Sequence, residues 1–239
     1  MATMAEQLHT FDNGEAASEV LAAAVTRTLQ AAFAARGHAS LIVSGGSTPA
    51  PLYRRLAATE LDWAHIDLVL ADERWVEPGA DGSNEDFIRH TLLTEKAVSA
   101  RFTGLKSAGA QPAYGLEATE ARLKALPWPA DCAILGMGDD GHILSWFPHA
   151  EGLDDALSPD GAFCAAISAR PSPVTGTLTE RITLTLRALS GVTLCALLIK
   201  GAAKHAALEK ALLPGPVEDM PVRALLNRPD LELQIFWSP

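Results

Sequence analysis

Short apolar runs punctuate the chain, each closed by a polar or glycine-rich turn. Leu41-Ile-Val43, Ile66-Asp-Leu-Val-Leu70, Cys132-Ala-Ile-Leu135 and residues 163–167, 193–199 and 231–237 have the length and composition of buried strands. Arg181-Ile-Thr-Leu-Thr-Leu-Arg187 alternates instead, and places Ile182, Leu184 and Leu186 on one face. Between these runs lie stretches of helical composition. Residues 16–36 are rich in Ala and Leu and stop at Gly37, a residue suited to a C-cap. Pro49 suits the first turn of a helix that continues through Leu52-Tyr-Arg-Arg-Leu56. Ser83 is placed to cap a helix carrying Phe87, Ile88 and Leu92. Residues 117–126 and 202–213 read as further helices.

Strands alternating with helices predict an α/β fold, a three-layer sandwich whose mostly parallel central sheet is covered on both faces. At 239 residues, with no internal repeat or linker, a single domain spanning residues 1–239 is expected. In such sheets ligands gather at the carboxyl ends of strands. Three polar segments follow strands here: Ser44-Gly-Gly-Ser-Thr48, Asp72-Glu-Arg74 and Gly136-Met-Gly-Asp-Asp-Gly-His142. The pattern predicts that they meet in one crevice.

Charge narrows the partners. The net charge is −10, and the 19 Lys and Arg are scattered, so the basic stripe of a nucleic-acid surface is missing. A few placed cations still suffice for one small anion. Cys132, Cys164 and Cys195 have no metal-ligand spacing, and their odd number fits a reducing compartment. No basic and apolar leader pattern opens the sequence, and no apolar run approaches the roughly 18 residues of a membrane span. A cytoplasmic protein is expected.

Gly136, Gly138 and Gly141 spell the G-x-G-x-x-G of a dinucleotide fingerprint. Asp139 and Asp140 would set negative charge against a pyrophosphate, and residues 163–167 end in Ser168 rather than in an acidic residue. The glycines are better read as a tight turn that projects Asp140 and His142, whose imidazole is suited to move a proton at neutral pH. Ser44-Gly-Gly-Ser-Thr48 has the makings of an anion cradle: Gly45 and Gly46 admit close approach, and Ser47 and Thr48 add donors ahead of a helix start. An ordinary capped turn is the alternative. Arg181 and Lys204 are candidate cations and favour a phosphate. His142 and His149 are too far apart for one helical turn, and the remaining histidines stand alone, so no metal site is predicted. No G-x-S-x-G elbow occurs.

Taken together, Ser44-Gly-Gly-Ser-Thr-Pro49, Asp72-Glu-Arg74 with Ser83-Asn84, Leu135 to His142 through Phe147-Pro148, Arg181-Ile-Thr-Leu-Thr185 and Lys200-Gly-Ala-Ala-Lys204 resemble the 6-phosphogluconolactonase family. The resemblance implies a Rossmann-like sandwich of the glucosamine-6-phosphate deaminase and ribose-5-phosphate isomerase type, holding no dinucleotide. It implies hydrolysis of 6-phospho-D-glucono-1,5-lactone to 6-phosphogluconate in the pentose phosphate pathway, with no metal or organic cofactor. It matches His142 to the catalytic base and Arg74 to the active-site arginine. It also matches Gly45, Gly46, Ser47, Thr48, Arg181 and Lys204 to the phosphate site. Asp72 and Asp140 are both candidates to orient His142 or water. A small-molecule phosphosugar lactone is the implied partner, with the chain a monomer or small homo-oligomer.

The family commonly follows its histidine with Thr-Ala-Ser-Leu-Phe-Pro-Gly, where this chain has Ile143-Leu-Ser-Trp-Phe-Pro-His149. The deaminases of the group place a glutamate where this chain has Phe147, which favours the lactonase. A phosphosugar isomerase or deaminase using Asp72 as proton abstractor, and a non-catalytic sugar-phosphate sensor, are the competing expectations.

Overall fold

The strands follow one another as β1 (Leu8–Thr10), β2 (Ala39–Val43), β3 (Ile66–Leu70), β4 (Asp72–Arg74), β5 (Arg101–Thr103), β6 (Cys132–Leu135), β7 (Cys164–Ser168), β8 (Glu180–Leu184), β9 (Leu194–Lys200) and β10 (Leu233–Ser238). They are taken from a computed structural model that describes residues 7–228 and 230–239. Seven of them form one sheet in the order β1-β10-β9-β6-β2-β3-β5, and every pairing in it is parallel. Helices cover both faces, so β2, β3 and β6 are buried along their whole length. That burial is why they read as continuous apolar runs rather than alternating ones.

The long helix Gly14–Arg36 starts where the Asn13 side chain accepts the amides of Glu15 and Ala16, each at 3.0 Å. It ends where Gly37, at φ 75°, returns its N–H to Phe33. Leu21, Val25 and Leu29 on its inner face are fully buried, and it packs across β2, β6, β9 and β10.

One expectation is refined. The runs near 163–167 and 181–187 do not join the main sheet. β8 pairs antiparallel with both β4 and β7 in a second, three-stranded sheet of order β4-β8-β7. Periodicity identifies a strand but not its partner. Leu186 also leaves the alternation and opens the short helix Leu186–Leu189. Both faces of β8 are buried: Ile182 and Leu184 on one side, Arg181 and Thr183 on the other. The polar face that sequence reading would solvate is turned inward.

All three thiols are buried, and burial pushes those of Cys164 and Cys195 up to about 12, as expected of inert packing groups. Among the described residues no helix is long and apolar enough to cross a membrane. From β2 the sheet continues through β3 and β5 in one direction, and through β6, β9, β10 and β1 in the other. The order therefore reverses between β2 and β6, and a crevice opens outside their carboxyl ends.

Candidate active site

The three polar segments meet in that crevice. A cavity of about 350 Å³ is bordered by Ser44, Gly45 and Gly46 after β2, Asp72 and Arg74 on β4, and Gly136 to Asp139 with His142 after β6. Asn84, Leu144, Phe147, Pro173, Val174, Arg181 and Lys204 complete the wall. A larger hollow of about 640 Å³ lies against β7, but Glu151, Asp155 and Glu180 border it and no Lys, Arg or His does. Its charge is wrong for an anion.

Each segment is shaped by identifiable contacts. After β2, the buried Tyr53 hydroxyl accepts the Ser44 amide at 3.0 Å and donates to the Ser44 carbonyl at 2.8 Å. This clamp fixes the start of the turn on the helix Ala50–Ala57 that follows it. Gly45 is pressed so closely on Asn84 that a Cβ would sit 2.0 Å from its side-chain oxygen, so no larger residue fits.

Strand alternation splits Asp72-Glu-Arg74 into two jobs. Asp72 and Arg74 face the cavity, while Glu73 turns to the start of the helix Asn84–Thr91. There it accepts the Asn84 and Glu85 amides at 2.7 Å and the Ser83 hydroxyl at 3.0 Å. Burial pushes the Glu73 carboxyl up, and these donors oppose the rise. Asp72 accepts the Ser145 hydroxyl at 2.6 Å and the Asn84 side-chain amide at 3.3 Å. Arg74 donates to the Gly82 carbonyl.

The turn after β6 closes with Gly138 N–H on the His142 carbonyl at 2.9 Å and Gly141 N–H on the Gly138 carbonyl at 3.0 Å. His142 Nδ1 lies 2.6 Å from Asp140 Oδ1, which also accepts the His142 amide at 3.1 Å. A Cβ at Gly138 would stand 2.2 Å from the imidazole, so that glycine is what lets the pair form. Burial pushes the Asp140 carboxyl up, but the hydrogen bond and charge of His142 outweigh it and hold Asp140 below its ordinary value. Of the two candidate carboxylates, Asp140 touches His142 and Asp72 is held by Ser145 and Asn84. No helix follows His142 directly, so it caps none; the next helix is Leu153–Leu157.

Arg181 is 4% exposed. Its Nε donates to the Leu178 carbonyl at 2.6 Å and its Nη2 to the Thr175 carbonyl at 3.2 Å. Its guanidinium carbon lies 5.4 Å from the Phe147 ring centre, and that ring packs 4.4 Å from the His142 ring. Burial lowers the Arg181 guanidinium to about 10, against the pull of Asp72, and Arg74 across the strand pair adds to the lowering. Within 4 Å neither Arg181 nor Lys204 meets a carboxylate among the described residues.

Not every predicted residue reaches the wall. Ser47 is exposed, Thr48 is half-buried, and neither borders the cavity; Asp140 stands behind His142. Conversely, Tyr53 and Ser145 carry structural roles that no spacing announced, while Ser44 and Phe147, which the motifs contain, border the cavity. Among the described residues no group of three or more His, Cys, Asp or Glu is gathered as for a metal ion.

A parallel sheet with an imidazole–carboxylate pair and two cations that meet no carboxylate within 4 Å among the described residues, all at its switch point, has the make-up of an α/β enzyme. The chain belongs to the family of glucosamine-6-phosphate isomerases and 6-phosphogluconolactonase, whose model matches residues 12–237. It is 38% identical over 239 residues to a 6-phosphogluconolactonase of Rhizobium meliloti (strain 1021), covering 99% of this chain and 100% of the relative. It is 40% identical over 229 residues to that of Pseudomonas aeruginosa, covering 95% and 93%. The crystal structure of a 6-phosphogluconolactonase from Shewanella baltica OS155 superposes with a TM-score of 0.92 at 38% identity, covering 97% of each chain.

Proposed function

We propose that this chain hydrolyses 6-phospho-D-glucono-1,5-lactone to 6-phosphogluconate in the pentose phosphate pathway, acting in the cytoplasm on a free phosphosugar lactone. The observation that carries the mechanism is the 2.6 Å His142–Asp140 contact, set in one cavity with Arg181 and Lys204. The phosphate docks on the Gly45 and Gly46 turn, Arg181 and Lys204, and binding energy spent there positions C1. Asp140 holds the proton on His142 Nδ1 and leaves Nε2 free to accept one, an arrangement that also stabilises the imidazolium.

Nε2 takes a proton from water as its oxygen bonds to the lactone carbonyl carbon. Arg74 and neighbouring backbone amides stabilise the oxyanion, each well-placed donor being worth about 3 kcal/mol. The bond from C1 to the ring oxygen then breaks, and His142 returns its proton to that oxygen. Phe147 supports the lactonase reading, because its apolar ring fills space beside His142.

The test is a lactonase assay on freshly generated phosphorylated lactone, corrected for spontaneous hydrolysis. Acceleration by the wild type that His142→Ala abolishes is expected. Near-normal turnover in His142→Ala would remove the base assignment, and ammonia release from glucosamine 6-phosphate would favour the deaminase.

A further inference from the structure

We propose that Leu144 is a specificity-determining residue whose side chain packs against the ring of the lactone, as part of an apolar wall of the cavity. This rests on the reading of the cavity as a lactonase site. Leu144 borders the cavity two residues after His142, and its backbone stands in the left-handed region at φ 49°. Bulky residues rarely adopt that conformation. Where one does, the surrounding structure holds it there against a cost in stability, and such strain gathers at functional sites.

The contacts that hold it can be named. The Trp146 amide donates to the Ile143 carbonyl at 2.8 Å, closing a tight turn over residues 143–146, and Ile143 bridges to Met137. Three bonds then pin the turn from outside. The Ser145 hydroxyl donates to Asp72 at 2.6 Å, the Ser145 amide to the Thr183 hydroxyl at 3.3 Å, and the Trp146 indole to the Leu184 carbonyl at 2.8 Å. Ile143, Ser145 and Trp146 are thereby sealed at 0% exposure, whereas Leu144 keeps 7%. Of the four, only Leu144 borders the cavity.

The chemistry of that wall suits a ring. Met137, Leu144, Phe147, Pro173 and Val174 supply the apolar part of the border, in contrast to its arginines and lysine. A phosphate or a hydroxyl gains nothing from an isobutyl group and is desolvated by it. The C–H groups of a closed lactone ring do gain, because apolar surface leaves water on both partners. Hydrolysis opens the ring into an acyclic chain that keeps the phosphate and the hydroxyls. A contact fitted to the closed ring is therefore made by the substrate and lost in the product.

Leu144→Gly and Leu144→Ala both remove the side chain. Each is expected to raise KM about tenfold for the phosphorylated lactone and for unphosphorylated glucono-1,5-lactone alike, the lower end for an apolar contact in a specificity pocket. Inhibition by 6-phosphogluconate is expected to keep its wild-type Ki. Leu144→Met, close in volume, is expected to recover most of the affinity. Glycine is free at a positive φ and alanine is not, so Leu144→Gly should melt at or above Leu144→Ala; the reverse order overturns the strain argument. An unchanged KM in both truncations, with or without a fall in melting temperature, overturns the assignment. So does a Ki for 6-phosphogluconate that rises in step with KM. If the wild type itself fails to accelerate lactone hydrolysis, the lactonase reading is what falls, and this assignment with it.

Discussion

Arg181 and Arg223 are both buried arginines, 4% and 5% exposed, and neither has a carboxylate within 4 Å among the described residues. They differ in how their donors are used. Arg223 sits past the end of the helix Ala202–Leu212 and saturates its surroundings. Nε donates to the Ala211 carbonyl at 3.1 Å, Nη1 to that of Pro216 at 2.8 Å, and Nη2 to those of Lys210 and Leu213 at 3.2 Å. It satisfies the orphan carbonyls of a helix C-terminus and opposes the negative end of the dipole. Gly215 is packed on it so tightly that a Cβ would lie 2.6 Å from Nη1. Arg181 engages two carbonyls and borders a cavity, and its Nη1 makes no hydrogen bond among the described residues. Arg223 spends its donors on the fold, whereas Arg181 keeps one without a partner among the described residues, as the proposed phosphate site requires.

The widest separation between the two regions should appear at the imidazole beside Arg181. His142→Ala is expected to lower kcat about a thousandfold, the range of general-base catalysis, with only a small fall in melting temperature from loss of the Asp140 contact; steady-state kinetics with a thermal melt checks both. Arg223→Met is expected to do the reverse. It strands several carbonyls and costs about 3 kcal/mol, a fall of roughly 6–12 °C for a chain of this size, while KM stays at the wild-type value. Arg181→Met is expected to raise KM for the phosphorylated lactone about thirtyfold, in line with hydrogen bonds to a charged group, and to cost less stability than Arg223→Met. If Arg181→Met proves the more destabilising and leaves KM alone, the contrast collapses.

Smaller effects sharpen it. Lys204→Ala is expected to raise KM about fivefold, the reach of a half-exposed ion pair, with discrimination against the unphosphorylated lactone reduced. Asp140 tests the pH sign. Its carboxyl is held below the ordinary value, so its stabilisation is fully present above about pH 4 and is lost as pH falls through the depressed value. The melting-temperature gap between wild type and Asp140→Asn should therefore close as the pH is taken below about 4.

Much of this molecule is legible without coordinates, for reasons that differ by element. Strands β2, β3 and β6 are announced by apolar runs because both their faces are covered. The helices are announced by local chemistry: Gly37 at a C-cap, Ser83 at an N-cap. His142, Gly45 and Gly46 are visible because turn glycines and a proton carrier stand directly after strands. The second sheet was not visible, since β4, β7 and β8 are distant in sequence and nothing in their spacing names a partner. Ser145 and Tyr53 were equally silent. Their roles come from contacts with Asp72 and Ser44, 73 and 9 residues away.

Local pattern settles which segments are strands, helices and turns, because dihedral preference, capping and apolar period act over a few residues. It also places polar, glycine-rich turns at three strand ends. Which carboxylate serves the histidine was decided by the tertiary structure. So was the setting of the two buried arginines, one with its donors on carbonyls around a helix end and one bordering the cavity. Those outcomes depend on distances of about 3 Å between residues far apart in the chain, and hydrogen bonds exist only once packing has set such distances.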